Sequence, residues 1–220
     1  MNVCNVSSNY NENIAAIVAK TMVTVGLDGV INMTESPTGE TQFALVNGLV
    51  LERGYVSELF TAHDTNTRSL TCELEHPLVL VVSDKITKVS QIAPILDLVK
   101  TKAPNRPLLL FSEDLREEPM STMVYNNQKG ILTCCAVNIP WLAGVQKEII
   151  KDIAVMTGAT VVDNEFVLKL EDVELKHFGS AKTITIDESF THIVGGNFTK
   201  EKLNDRLEEI MKQIEAEEKH

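Results

Sequence analysis

Two short, wholly apolar runs lie on either side of a segment with helical periodicity. The runs are Leu78–Val82 and Leu108–Phe111, and between them Thr87–Lys102 repeats its apolar residues at helical spacing. Uninterrupted apolar runs of this length are typical of strands that are buried on both faces. A strand, a helix and a second strand in this order predict a pair of parallel strands in an α/β fold.

The same alternation continues through most of the chain. Further helices are predicted at Asn11–Val25, Glu117–Gln128 and Val145–Thr157 and from Thr199 onward, and further strands at Val30–Thr34, Gln42–Val46, Ile131–Val137, Thr160–Val162, Thr183–Ile186 and His192–Val194. Gly26 and Gly158 are placed to end helices, and Ser36–Gly39 has the composition of a tight turn. The last two strands are predicted to be antiparallel, so we expect a mixed sheet layered with helices.

The predicted tail helix carries a narrow apolar stripe formed by Leu203, Leu207, Ile210 and Ile214. Such a stripe fits a surface helix packed on one side, and it also fits one half of an interrupted helical pair. We favour the second interpretation because the chain stops abruptly after this helix.

Charge and hydropathy exclude several classes of partner. The chain has 31 acidic residues against 20 basic ones and a net charge of −11, which argues against a nucleic-acid partner because phosphates are neutralised by Lys and Arg. No apolar run approaches the ~18 residues of a membrane span, and no signal or transit peptide is visible. We therefore expect neither nucleic acid nor membrane as a partner.

Four cysteines, Cys4, Cys72, Cys134 and Cys135, lack the spacing of a metal site. Cys134 and Cys135 are adjacent in a predicted strand, so their side chains point to opposite faces and cannot share a metal. We expect all four to be reduced and buried.

A search for catalytic motifs finds no P-loop, no dinucleotide-binding glycine pattern and no nucleophile elbow. The five histidines share no metal-ligand spacing. Glu113 and Asp114 follow a predicted strand, where α/β enzymes place catalytic groups. They also fit charges that favour the positive end of a helix dipole, and we favour this interpretation.

The unusual feature is a surplus of apolar residues on two helices. In Thr87–Lys102 they cover more than half of the helix circumference, which exceeds what a helix packed on one side needs. The next helix adds Met120, Met123, Val124 and Tyr125. Either the first helix is enclosed in a large core, or the surplus forms an exposed binding groove, since large exposed apolar patches mark interaction sites.

Several motifs follow one another in an order that is found in a known family. The stretch Gly48–Ser57 contains Arg53-Gly54-Tyr55 and Ser57 and is followed by Phe60; further matches are Asp84-Lys85-Ile86, Pro94, Pro107-Leu108, Glu113-Asp114, Ala136-Val137, Asp152-Ile153-Ala154, Thr157-Gly158 and Leu170-Glu171-Asp172-Val173. In these motifs and their spacing the sequence resembles the group I chaperonins, the family of bacterial GroEL and its mitochondrial and plastid relatives. The likeness extends over essentially the whole chain.

The resemblance implies that the chain is part of a larger chaperone. Residues 1–46 correspond to part of the intermediate domain and residues 47–220 to the apical, polypeptide-binding domain with its C-terminal helices truncated. The ATP and Mg²⁺ site and the catalytic aspartate of the family lie in parts that are absent here. We therefore expect no cofactor and no enzyme activity in this chain, which would act within an ATP-driven double heptameric ring. A mitochondrial matrix or plastid stroma is preferred as its location over a bacterial cytoplasm.

The resemblance also implies a groove that binds non-native polypeptides and the mobile loop of a co-chaperonin. The matching positions are Tyr55, Ser57, Leu59, Phe60, Ala93, Leu96, Met120, Val124 and Tyr125. Of these, Leu96, Met120 and Val124 are expected to be solvent-accessible. The sequence departs from the family at Glu58 and Ala93, and most strongly at Ile139–Val145. Two alternatives remain, a separate enzyme that uses Glu113 and Asp114, and a structural ring component that binds no client.

Overall fold

The computed structural model describes residues 2–26, 31, 41, 48–61, 70–139, 145–163 and 168–217. The chain divides into two compact units, Met1–Asn47 and Gly48–His220, and this division lies one residue from the predicted boundary. The predicted strand Gln42–Val46 and the turn Ser36–Gly39 lie outside the described residues, and so does Val30–Thr34 apart from Ile31.

The first unit contains helices α1 (Asn2–Ser7) and α2 (Glu12–Val25). Asn11 caps α2, because its side-chain oxygen accepts a hydrogen bond from the Ile14 N–H at 3.2 Å. Gly26 ends the helix with a φ of 82° and donates its N–H to the carbonyl of Met22. The helix predicted at Asn11–Val25 is confirmed.

The second unit has a mixed sheet with layered helices, so the predicted α/β class is confirmed at this level. Its strands are β1 (Gly48–Leu51), β2 (Cys72–Glu75), β3 (Leu78–Val82), β4 (Lys85–Ile86), β5 (Leu108–Ser112), β6 (Asp114–Leu115), β7 (Cys134–Asn138), β8 (Val161–Val162), β9 (Gly179–Ile186) and β10 (Thr191–Gly196). Its helices are α3 (Val89–Lys102), α4 (Glu117–Gln128), α5 (Val145–Thr157) and α6 (Lys200–Glu217), with short 3-10 turns at Glu58–Phe60, Leu170–Asp172 and Leu175–His177.

The main sheet has the strand order β1-β10-β9-β3-β5-β7, with β2 also paired to β9 and β8 to β3. Strands β3, β5, β7 and β8 pair in parallel, whereas β1, β2, β9 and β10 pair in antiparallel fashion. The parallel β3-α3-β5 unit and the antiparallel β9-β10 pair were both predicted. Every residue of β3 and β5 is buried, as their continuous apolar runs indicated.

The helices cover the sheet on both sides. The chain moves in one direction from β3 to β5 to β7 and then returns to β8, so right-handed crossovers place α3 and α4 on one face and α5 on the other. In agreement with this, α3 contacts α4, whereas α5 contacts β3, β8 and β9. Both faces of β3 and β5 are therefore buried.

Strand β7 begins three residues later than predicted. Gly130 adopts a φ of 65° after α4, and the N–H groups of Ile131 and Leu132 turn back to the carbonyl of Asn126. These residues close the helix end and are not available to the strand.

The cysteines are free thiols in the described part of the chain. Cys72, Cys134 and Cys135 are buried as predicted, but Cys4 is only half-buried, so the prediction is wrong for this residue. Burial raises the pKa of the Cys134 thiol to about 12. No cluster of potential metal ligands occurs among the described residues.

Helix α6 packs against α5 through a charged cluster centred on Arg206. Its guanidinium group forms ion pairs with Asp152 at 2.7 Å and with Glu148 and Glu209 at 2.8 Å. The helix therefore packs on α5, as a surface helix does, and the favoured interpretation as one half of an interrupted helical pair stays a prediction. Within the apolar stripe of α6, Leu203 and Ile210 are half-buried, whereas Leu207 and Ile214 remain exposed.

Candidate functional site

The predicted site is built on a short segment, residues 55–61, which lies against β7 and α4. Tyr55 forms an antiparallel bridge with Val137, and the N–H of Val56 donates to the carbonyl of Ala136 at 2.9 Å. This bridge joins the segment after β1 to β7, the strand at the opposite end of the sheet order.

The segment then turns through the 3-10 turn Glu58–Phe60. The Ser57 hydroxyl oxygen accepts a hydrogen bond from the Leu59 N–H at 3.3 Å and caps the turn. The Phe60 side chain is buried in the core, whereas Leu59 is 48% exposed. The turn therefore anchors itself through Phe60 and presents Leu59 to solvent.

Helix α4 contacts both this turn and α3, so the three predicted parts of the site are brought together. The nine predicted residues differ in exposure: Leu59 and Tyr125 are exposed, Tyr55, Ser57, Ala93 and Met120 are half-buried, and Phe60, Leu96 and Val124 are buried. Tyr125 has the most exposed side chain of the set, at 57%.

The expectation that Leu96, Met120 and Val124 are solvent-accessible is wrong for two of the three. Leu96 on α3 and Val124 on α4 are each only 7% exposed, and Met120 is half-buried. Because α3 and α4 contact each other, side chains near the line of contact lose their access to water. Leu96 and Val124 belong to the hydrophobic core.

The apolar surplus of α3 has the same explanation. Besides α4, the 3-10 turns Leu170–Asp172 and Leu175–His177 contact α3. Leu170 is buried, and Leu175 packs against the core. Covered on several sides, α3 needs an apolar arc wider than that of a surface helix, so the enclosed-helix interpretation is correct for most of this arc.

Aromatic side chains at the site have charged neighbours. Burial, followed by the negative charges of Glu188, Glu58 and Asp187, raises the pKa of Tyr55 above its usual value. The ammonium group of Lys129 lies 5.8 Å from the centroid of the Tyr125 ring, within the range of a cation–π contact. The site therefore combines exposed apolar groups with charges at its edge, an arrangement that suits a surface for binding another molecule.

Glu113 and Asp114, the residues of the enzyme alternative, are engaged in ion pairs. Lys85 lies 3.2 Å from Glu113, and Arg116 lies 2.9 Å from Asp114. Asp114 belongs to the short parallel β4–β6 pair, ahead of α4, and the acidic residues in the first turn of α4 are Glu117 and Glu118. The ion pairs tie this segment to Lys85 on β4 and to Arg116 at the start of α4, and the helix-terminus interpretation stays a prediction.

One residue that shapes the site was missed by the sequence analysis. Asn127 lies on the buried side of α4 and is 1% exposed. The signal for it was its spacing, since Asn127 follows Pro119 and Met123 at intervals of four, on the face that packs into the core. A polar residue at such a position must find hydrogen-bond partners inside the protein.

A pocket of about 300 Å³ lies elsewhere, between α5 and α6, and its lining includes Val155, Val161, Lys151 and Arg206. No predicted site residue lines it. No helix in the described ranges is both long and apolar enough to span a membrane. Compared with the models of known protein families, the sequence matches none.

Proposed function

We propose that this chain is a polypeptide-binding module of the chaperonin apical-domain type. It binds apolar segments of non-native polypeptides, and the mobile loop of a co-chaperonin, on a surface formed by residues 55–61, α4 and the adjacent edge of α3. In this proposal the chain works within an ATP-driven double ring, in a mitochondrial matrix or plastid stroma, and the ATP and Mg²⁺ site lies in another part of the protein. The proposal rests on the sequence resemblance and on the surface described above.

The observation that carries the proposal is the exposure of Leu59 and Tyr125 on two elements that contact each other. About half of the Leu59 side chain is open to solvent. A partner that covers this half gains roughly half of the about 1.5–3 kcal/mol that full burial of a leucine contributes. Tyrosine adds a large rigid contact area at a low cost in side-chain entropy.

Burial divides the predicted residues into two groups with different roles. Leu59 and Tyr125 contact the polypeptide, with the half-buried Tyr55, Ser57, Ala93 and Met120 beside them. Phe60, Leu96 and Val124 support this surface from beneath as part of the core. This division narrows the proposed contact surface to six of the nine predicted residues.

The test is a titration of the chain with a short fluorescent peptide rich in leucine and phenylalanine. Leu59→Ser and Tyr125→Ser each remove an exposed apolar contact and are expected to weaken the affinity by about three- to tenfold. Met211→Ser is the matched control, because Met211 is an exposed apolar residue on α6. All three variants should keep the parent's unfolding free energy to within about 0.5 kcal/mol.

Two results would contradict the proposal. One is an affinity that stays unchanged in both Leu59→Ser and Tyr125→Ser, and the other is an equal loss in Met211→Ser. A parent chain that binds no peptide would favour the alternative of a structural ring component. The enzyme alternative gains nothing from the structure, because Glu113 and Asp114 are both ion-paired.

A further inference from the structure

A single buried amide joins three elements at the base of the proposed binding surface. The Asn127 Nδ2 group donates to the carbonyl of Phe60 at 3.0 Å, and the Asn127 Oδ1 atom accepts from the N–H of Cys134 at 3.1 Å. Both ends of the amide are thus used, one toward the 3-10 turn and one toward the start of β7. Leaving a buried polar group unpaired costs about 1–3 kcal/mol, so the folded state strongly favours this orientation of the Asn127 amide.

The two ends of the 55–61 segment are held by different means. Its start is bound to β7 by main-chain pairing, through the Tyr55–Val137 bridge and the Val56 N–H. Near its other end, the carbonyl of Phe60 accepts its hydrogen bond from the side chain of Asn127 on α4. Besides the packing of the Phe60 ring in the core, the turn is therefore hydrogen-bonded to α4 through one side chain, which a substitution can change.

We propose that Asn127 is a positioning residue that holds the turn bearing Leu59 against the helix bearing Tyr125, and thereby sets the affinity for apolar polypeptides. This inference rests on the proposed function. The physical reason is preorganisation: a turn already held in its binding position loses less conformational entropy when a polypeptide binds. Asn127 has no access to solvent and acts through Leu59 without touching the polypeptide.

Asn127→Asp separates the two hydrogen bonds of the amide. One carboxylate oxygen still accepts from the Cys134 N–H, but the other faces the carbonyl oxygen of Phe60 and repels it. When the carboxyl is protonated, its O–H donates to that carbonyl and restores the bond. Burial raises the pKa of an introduced carboxyl, so this restoration is expected between about pH 8 and about pH 5. The Cys134 thiol does not titrate in this range, since its pKa is raised to about 12.

Asn126→Asp is the matched control. Asn126 is the next residue on α4, and its Nδ2 group donates to the carbonyl of Thr122 within the same helix at 2.8 Å. The substitution makes the same change of charge and chemistry one residue away, without touching a bond to the 55–61 segment. Asn127→Ala supplies a second comparison without a buried charge, should Asn127→Asp unfold at about pH 8.

Two readouts are made on each variant, amide hydrogen exchange without peptide and affinity for the fluorescent peptide. In Asn127→Asp at about pH 8, exchange at Phe60 and Thr61 should be at least about tenfold faster, with β3 and β5 unchanged. The peptide affinity should fall about tenfold and recover toward about pH 5. Asn126→Asp should show neither effect.

The proposal is overturned if Phe60 and Thr61 keep the parent's protection, if they lose it while the affinity stays unchanged, or if Asn126→Asp gives the same losses. Faster exchange that is uniform over the whole unit also overturns it, because Asn127 would then serve stability alone. A parent chain that binds no peptide contradicts the proposed function, whereas the exchange data still decide whether Asn127 positions the turn.

Discussion

Leu96 on α3 and Val124 on α4 are each 7% exposed, and their low exposure assigns them to the hydrophobic core. Truncating a buried side chain costs the lost transfer free energy and adds the cost of the cavity that remains. At the scale of single residues, the proposed surface therefore consists of a thin exposed layer on a supporting core.

We predict that Leu96→Ala lowers the free energy of unfolding by about 2–4 kcal/mol and Val124→Ala by about 1–3 kcal/mol. Leu59→Ala is the control and should change it by no more than about 0.5 kcal/mol, because Leu59 is exposed. Urea unfolding followed by circular dichroism measures all three. If Leu96→Ala is as stable as the parent, Leu96 is not part of the hydrophobic core in solution.

At the scale of elements, the docking of α6 on α5 centres on one arginine, and Lys151 on α5 adds an ion pair to Glu209 on α6 at 3.1 Å. Arg206 is 7% exposed and pairs with three carboxylates from the two helices. A guanidinium group in this position satisfies several acceptors at once, which a lysine ammonium group does less well. The exposed part of α6 contributes little to this docking, because Leu207 and Ile214 remain in solvent.

We predict that Arg206→Ala releases α6 from α5 and lowers the free energy of unfolding by about 1–3 kcal/mol. The partner carboxylates are partly open to water, which keeps the cost below that of a fully buried pair. Hydrogen exchange should become faster in α6 and remain unchanged in β3 and β5. Arg206→Lys should restore only part of the protection, and full restoration by lysine would contradict the multiple pairing.

The same cluster predicts a dependence of stability on pH. Hydrogen bonds from Arg206 lower the pKa of Glu148 and of Glu209 below the ordinary glutamate value. A lowered pKa in the folded state means that the stabilisation is fully present above the ordinary value of about 4.3 and is lost as the pH falls below it. In urea unfolding over a pH series, the stability difference between the parent and Arg206→Ala should shrink in this acid range. A constant difference would exclude this linkage.

At the scale of the whole molecule, we predict that the isolated chain is monomeric or only weakly associated. The chaperonin resemblance implies that the main ring contacts lie in a domain outside this sequence. Light scattering at low micromolar concentration should give a mass close to 24.3 kDa. A stable heptamer under these conditions would contradict the prediction.

Calorimetry with ATP and Mg²⁺ tests the expectation that this chain carries no nucleotide site. The sequence contains no P-loop and no dinucleotide-binding glycine pattern. We predict no heat of binding and no hydrolysis. Stoichiometric ATP binding at micromolar affinity would show that the chain holds a nucleotide site of a kind that its motifs do not indicate.

Elements with a strong local signal were predictable from the sequence. The bounds of α4 and α5 match the structure residue for residue, and α2 ends at Val25, just before Gly26, because periodicity and helix-ending glycines act within a few residues of the chain. The parallel pairing of β3 and β5 was predictable for a related reason, since a strand–helix–strand connection leaves few other arrangements.

The candidate site was predictable only in part. The sequence indicated which segments carry it, and the structure brings residues 55–61, α3 and α4 into contact. The exposure of Leu96 and Val124 was predicted wrongly, because the sequence does not show whether another part of the fold covers an apolar side chain. Asn127 was missed because its partners, Phe60 and Cys134, are separated from it along the chain and meet it only in the fold.

The sequence by itself determined the α/β class and most helices and strands, since these depend on the spacing of apolar residues and on local turn chemistry, whereas the segments of the proposed surface follow from the chaperonin resemblance. Only the tertiary structure decided which apolar side chains remain in water, which carboxylates are paired and where the amide of Asn127 points. Those properties depend on contacts between residues far apart in sequence. Leu59 and Leu96 are both leucines, and only the packing of the folded chain makes one of them part of the core while the other remains exposed.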